Sequence, residues 1–201
     1  MKRVQLSDMP QNALVWRRDV HQAEDIRGLV IPPGYEAVID HAGDYLGPFR
    51  QGDVLSLPGQ GGWFRRRAAT DSQVYFCRQR LDRPLYWGLG SLPAPGGAVF
   101  GASGQLRLSL DNAMVLVRGV AAGQERLDDA GLGRRLESLV VGHVRPALIE
   151  AVERMGLTQA QSGLTLLARR VEEALEPQLS AMGLGCAALL IENLIINKEP
   201  A

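Results

Sequence analysis

The apolar residues of this 201-residue chain change their spacing near residue 120. That change limits the fold more than any single motif does. Before it, EAVID, QVYFCRQ and QLRLSL set apolar residues against others in short runs. GLVI, VLSL, AVFG and AMVLVRG read as further brief strands, and HAGD, GPFRQGD, LPGQGG and PAPGG as the turns between them. Close-set strands bounded by Gly/Pro turns predict a mainly antiparallel, strongly curved sheet or a partial barrel. In QLRLSLDN, Leu106, Leu108 and Leu110 fall on one face and Gln105, Arg107 and Ser109 on the other. One face therefore packs on a core while the other meets water or a partner.

From about Leu127 the step becomes three and four. Leu132, Leu136, Val140, Val144, Leu148, Val152 and Met155 make one helical stripe, and Leu164, Leu167, Val171, Leu175, Leu179 and Met182 a second. Ser162 is the expected N-cap of the second helix and Gly183 its C-cap, with MGLTQAQSG as a polar linker between the helices. Pro146 and Pro177 fall inside the stripes. Each costs roughly 3 kcal/mol in an unbroken helix interior, so a kink or break is expected near each. CAALLIENLII returns to strand character.

The expectation is an α+β chain whose sheet, over its N-terminal two thirds, is packed by two C-terminal helices and closed by a last strand. Residues 1–13 form an N-terminal segment and 14–196 one domain, with a sheet-rich part (14–120), a helical part (121–183) and the closing strand (184–196). Residues 197–201 are a tail.

Charge and cysteine usage narrow the function. Twenty-two basic side chains balance 22 acidic ones. That balance argues against the basic excess that displaces counterions from phosphates, so nucleic acid is not the expected partner. Cys77 and Cys186 are too few for a disulfide framework or a cysteine-built zinc site, and they fit a reducing compartment. The N-terminal MKRVQLSDMPQNALVW has no apolar signal core, and no apolar run approaches the ~20 residues of a spanning helix. A soluble, cytoplasmic protein with at most peripheral membrane contact is expected.

No catalytic residue, cofactor or metal is assigned. His21, His41 and His143 lack neighbours at ligand spacing, and Asp40, His41 and Asp44 read as a hairpin turn. Asp128-Asp129 and Glu172-Glu173 are adjacent and so point apart on a helix. Gly59-Gln60-Gly61-Gly62 lacks the lysine and hydroxyl of a phosphate loop.

Two stretches remain as candidate contact surfaces. In the first, the adjacent rings Trp63 and Phe64 precede Arg65, Arg66 and Arg67. That order suits an interfacial anchor, with rings at headgroup depth and cations toward anionic lipid. It also suits stacking on a single nucleic-acid strand, or a solvated loop with no partner. In the second, QVYFCRQRLDRPLYWG, alternation puts Arg78 and Arg80 on one face, near Tyr86 and Trp87. Together with Arg107 on its strand, these form a candidate face for an anionic ligand or a partner; a core strand pair with an arginine-bearing outer face is the competing reading.

The order of these segments resembles the SPFH superfamily (stomatin, prohibitin, flotillin, band 7), in its soluble bacterial virion-core-protein-like branch. The N-terminal signature is ALVWRRDVHQAEDIRGLVIPPGYEAVIDHAGDYLGPFRQGDVLSL, with a turn at Pro32-Pro33-Gly34 and a strand from Tyr35 to Ile39. VYFCRQRLDRPLYWG is similar to the central signature, ending at Leu85 to Gly88. GASGQLRLSLDN is similar to the glycine-led strand closed by Asp111, although Asn112 stands where a proline often follows. GLTLLARRVEEALEPQLSAMGLGCAALLIENLII resembles the closing helix, glycine and strand. The resemblance implies a non-enzymatic, homo-oligomeric scaffold or adaptor that organises a protein partner, with peripheral contact at the inner membrane face. The alternative is a small-molecule binding domain or enzyme with an anion pocket near Arg78, Arg80 and Trp87.

Overall fold

A computed structural model describes residues 13–27, 29–55, 57, 69–80 and 84–197. In chain order the first elements are β1 (Ala13–Gln22), α1 (Ala23–Arg27), β2 (Tyr35–His41), β3 (Asp44–Phe49), β4 (Ala69–Arg78), β5 (Leu85–Pro93) and β6 (Val99–Leu110). Then come α2 (Ala113–Leu116), β7 (Arg126–Asp128), α3 (Asp129–Leu139), α4 (Arg145–Met155), α5 (Leu157–Ser162), α6 (Leu164–Ala181) and β8 (Leu184–Asn197). The fold is α+β with antiparallel sheets, as the sequence predicts, and it is not closed into a barrel. The chain folds as two compact units, one of residues 1–80 and 110–129, the other of residues 81–109 and 130–201.

The first unit is a five-stranded sheet in the order β3-β2-β4-β1-β7. Its β2–β3 hairpin, at one edge, is set by local chemistry. Tyr35 N donates to Pro32 O at 3.2 Å and Gly34 has φ +78°. With Pro33 at the second position and a positive-φ glycine at the third, this is a type II turn that aims the chain into β2. Between β2 and β3, Ala42 (φ +54°) and Gly43 (φ +91°) form a two-residue loop. Positive φ at both positions matches the twist of the flanking strands, and Asp40 Oδ1 accepts from Gly43 N at 2.9 Å.

At the centre of this sheet, Ala37 and Ile39 of β2 and Val74 and Phe76 of β4 are fully buried, together with Ile26, Ile31 and Leu55. Val38 and Tyr75, which point the other way, are also fully buried. Burial on both faces marks these as interior strands. Two expected strands are absent. Leu29–Ile31 and Val54, Leu55 and Leu57 are not in strands, although Leu29, Ile31, Leu55 and Leu57 are buried. Each run meets a proline (Pro32, Pro58) that has no N–H to donate to a ladder.

AMVLVRG, also expected as a strand, is helical: α2 continues into a π turn over Val117–Ala121. Ala113, Leu116, Val117, Val120 and Ala121 are the buried members, a spacing of i, i+3, i+4, i+7 and i+8. Asn112, in an extended conformation, accepts from Val115 N through Oδ1 at 3.1 Å and caps the helix.

The second unit holds a three-stranded sheet, β5-β6-β8. AVFG and QLRLSL merge into the single strand β6, which alternates as its sequence predicts: Phe100, Ala102, Leu106 and Leu108 are buried and Arg107 is exposed. Gly104 joins the buried side, where an added Cβ would overlap the Leu190 carbonyl of β8. Leu132, Leu136, Leu148 and Val152 line one helical stripe, and Leu167, Val171, Leu175 and Leu179 the other.

The two prolines behave differently. Ahead of Pro146 the helix loosens into a π turn, Val140–Val144, and α4 restarts with proline in its first turn, where a missing N–H costs little. By contrast, α6 runs through Pro177 without a break. Pro177 and Glu173, the residue four earlier whose carbonyl loses its N–H partner, are both exposed, so the loss falls on the solvent side of the helix. Ser162 is not an N-cap. Its hydroxyl donates to Thr158 O and Gln159 O at 3.2 and 3.1 Å, closing α5 within the stretch expected as a linker, and Gly163 precedes α6. Gly183 ends α6 as expected, with φ +76° and its N–H on Ser180 O.

Candidate functional site

Trp63, Phe64, Arg65, Arg66 and Arg67 lie outside the described residues. Arg78 closes β4, and its Nε donates to the Tyr35 hydroxyl at 3.1 Å while the guanidinium lies 5.6 Å from that ring's centroid. Arg80 follows, exposed. Both belong to the first unit, whereas Trp87 and Arg107 belong to the second. The β5–β6 register pairs Leu85 with Leu106 and Trp87 with Gly104. Trp87 therefore shares the buried side of the sheet with Leu106, and Arg107 stands on the opposite side.

Strand pairing also builds clusters that no local motif announces. His41 and Ser72 are cross-strand partners, with Nδ1 and Oγ 2.8 Å apart. A serine beside a histidine invites a nucleophile-and-base reading, but Ser72 is only 1 % exposed. The pair ties β2 to β4. Glu36, nearly buried, receives Arg50 Nε at 3.1 Å. Arg118, from the π turn after α2, lies 4.8 Å from the centroid of the Tyr45 ring. Burial, reinforced by the Asp40 carboxylate, pushes the Tyr45 hydroxyl above its ordinary value, and Arg118 opposes that shift.

Neither cysteine is poised to react. Burial, then the Glu36 carboxylate on the paired strand, drives the Cys77 thiol far up. Burial, then Glu172, pushes Cys186 up to about 12. Thiolate is the nucleophilic form, and it is scarce at both positions near neutral pH. Among the described residues no group of His, Cys, Asp and Glu could hold a metal ion.

Two features of the second unit remain open to a partner. One is a cleft of ≈ 360 Å³ between β5 and α3, walled by Leu85–Leu89, Leu106, Leu136 and Gly133, with Arg134 and Glu137 also in its lining. In that wall Trp87 is 9 % exposed, and its Nε1 has no hydrogen-bond partner among the described residues. The other is β8, the far edge of the sheet, where Leu190 and Ile195 are 49 % and 62 % exposed. A sequence reading finds β8 from its apolar run. It misses the cleft, whose walls are some fifty positions apart in the chain. No helix among the described residues is long and apolar enough to cross a membrane. No protein-family model matches this chain and no curated protein matches it.

Proposed function

We propose that this protein is a self-associating scaffold or adaptor module of the SPFH kind, working without a catalytic centre in the cytoplasm or against the inner face of the membrane. The observation that carries this reading is the β8 edge. Fourteen residues long, β8 has one ionisable carboxylate, Glu192, and no lysine, arginine or proline. Proteins that must remain single blunt such edges with charges, prolines or bulges, because a row of unpaired N–H and C=O groups templates the pairing of another strand. The exposed Leu190 and Ile195 add apolar area that a neighbouring strand would cover. The resemblance to SPFH proteins leads in the same direction.

Sedimentation velocity over a concentration series tests the reading. The expected result is a species larger than one chain at micromolar concentration, reduced to a monomer by Leu190→Lys combined with Ile195→Lys, with the circular dichroism spectrum unchanged. A wild-type chain that stays monomeric at the highest soluble concentration overturns it.

A further inference from the structure

We propose that the cleft between β5 and α3 is a docking groove for an extended peptide of a partner protein, taken up as a fourth strand beside β5. The lining carries the argument. Side chains of a strand point alternately to its two faces, so a cleft on one face meets every second residue. This one meets five in succession, Leu85, Tyr86, Trp87, Gly88 and Leu89, with Leu106 of β6 behind them, and so takes in the backbone of β5 as well as the side chains on one face. In the sheet order β5 has β6 on one side only, leaving a row of backbone donors and acceptors along the cleft among the described residues. That is the geometry of strand addition, where main-chain hydrogen bonds give affinity and pockets select alternate side chains.

The remaining features match the same occupant. Gly88 and Gly133 add no side chains to opposite walls, and a Cβ on Gly133 would meet nothing within 4 Å. Leu85, Leu106 and Leu136 supply an apolar floor for one or two side chains. Trp87, 9 % exposed, stands in the same wall, so its indole N–H is a reporter inside the site. On α3, exposed Arg134 and Glu137 stand three positions apart and so lie on one side of the helix. They set a positive and then a negative charge along the groove. The matching ligand has an apolar centre flanked by one acidic and one basic residue, in the order that pairs them with Arg134 and Glu137. This site is separate from the β8 edge and does not depend on self-association.

The test uses the full chain and two blocked heptapeptides with leucine or valine at alternate positions. They have the same composition, one running Glu to Lys and the other Lys to Glu. Fluorescence polarisation reads binding, and the ¹⁵N–¹H resonance of the Trp87 indole reports on the site. One peptide is expected to bind and move that resonance, the other to bind about tenfold more weakly, and the double variant Arg134→Glu/Glu137→Arg to reverse the preference. N-methylation of alternate amides should weaken binding about tenfold or more, since it removes main-chain donors. Gly133→Leu should abolish binding while keeping or raising the melting temperature, because it fills the cleft and replaces a helical glycine. Binding that survives Gly133→Leu, or a Trp87 resonance that no peptide moves, overturns the proposal. So does a resonance moved by octanoate alone, which assigns the cleft to small amphipathic acids. Stronger displacement by the free segment 188–196 of this chain also overturns it, giving the groove to a second copy.

Discussion

Gly104 is the residue with the least freedom to change. It sits on the buried side of β6, and a Cβ there would overlap the Leu190 carbonyl oxygen and press on the Trp87 ring. The obstacle is backbone, which cannot rotate away as a side chain can. Gly104→Ala should therefore destabilise the second unit by about 3 kcal/mol, the upper range for overpacking, measured by urea denaturation. A loss below about 1 kcal/mol would mean that the strands can separate at little cost. The thiols set a pH dependence at the same scale. Cys77 is raised from an ordinary value of 9.0 by its burial, and Cys186 likewise to about 12. Above about pH 9 the unfolded chain loses these protons while the folded chain keeps them, so stability is full below that pH and falls as pH rises. For fully buried Cys77 the slope is about 1.4 kcal/mol per pH unit. Urea midpoints should hold up to about pH 9 and drop from there to about pH 11, and Cys186→Ala should flatten the drop. A midpoint that does not change over this range contradicts the assignment.

At the level of elements, legibility depended on how many faces an element buries. The stripes of α3, α4 and α6 were readable because each helix buries one side, and QLRLSL because β6 does the same. AMVLVRG suggests a strand although it folds as a helix, because Met114, Val115, Leu116 and Val117 form an unbroken apolar run that fits either period. The deciding signal was Asn112, a capping residue directly before the run, whose carboxamide holds the Val115 N–H. Asn112→Ala should cost about 1 kcal/mol of stability, while Asn112→Ser or Asn112→Asp should cost little. Thermal melts of the three variants check this, and equal losses in all three would show that the cap is not what fixes α2. Pro177 lies two residues from both Leu175 and Leu179, so the stripe itself puts it on the opposite side of α6, and on that exposed side the helix runs on without a break.

For the whole molecule, Arg78 and Arg80 fall in one unit and Arg107 in the other, because the chain passes between the units after Arg80 and returns at Leu110. No local pattern encodes those crossings. The cleft was hidden for a related reason, since β5 and α3 reach it from distant segments that pairing and packing bring together. The proposed self-association bears on the candidate membrane contact. Three adjacent arginines, Arg65, Arg66 and Arg67, contribute about 1 kcal/mol each near an anionic surface. That is marginal for a single chain at physiological salt. Self-association through β8 would present several such segments at once and convert weak single contacts into avid ones. Wild-type protein should co-sediment with phosphatidylserine vesicles in a salt-sensitive way and ignore phosphatidylcholine vesicles. Arg65→Ala, Arg66→Ala and Arg67→Ala together should remove the binding. The monomeric variant Leu190→Lys/Ile195→Lys keeps all three arginines and gains positive charge, yet should bind at least about tenfold more weakly. If that variant binds as well as wild type, charge alone governs the membrane contact and assembly has no part in it.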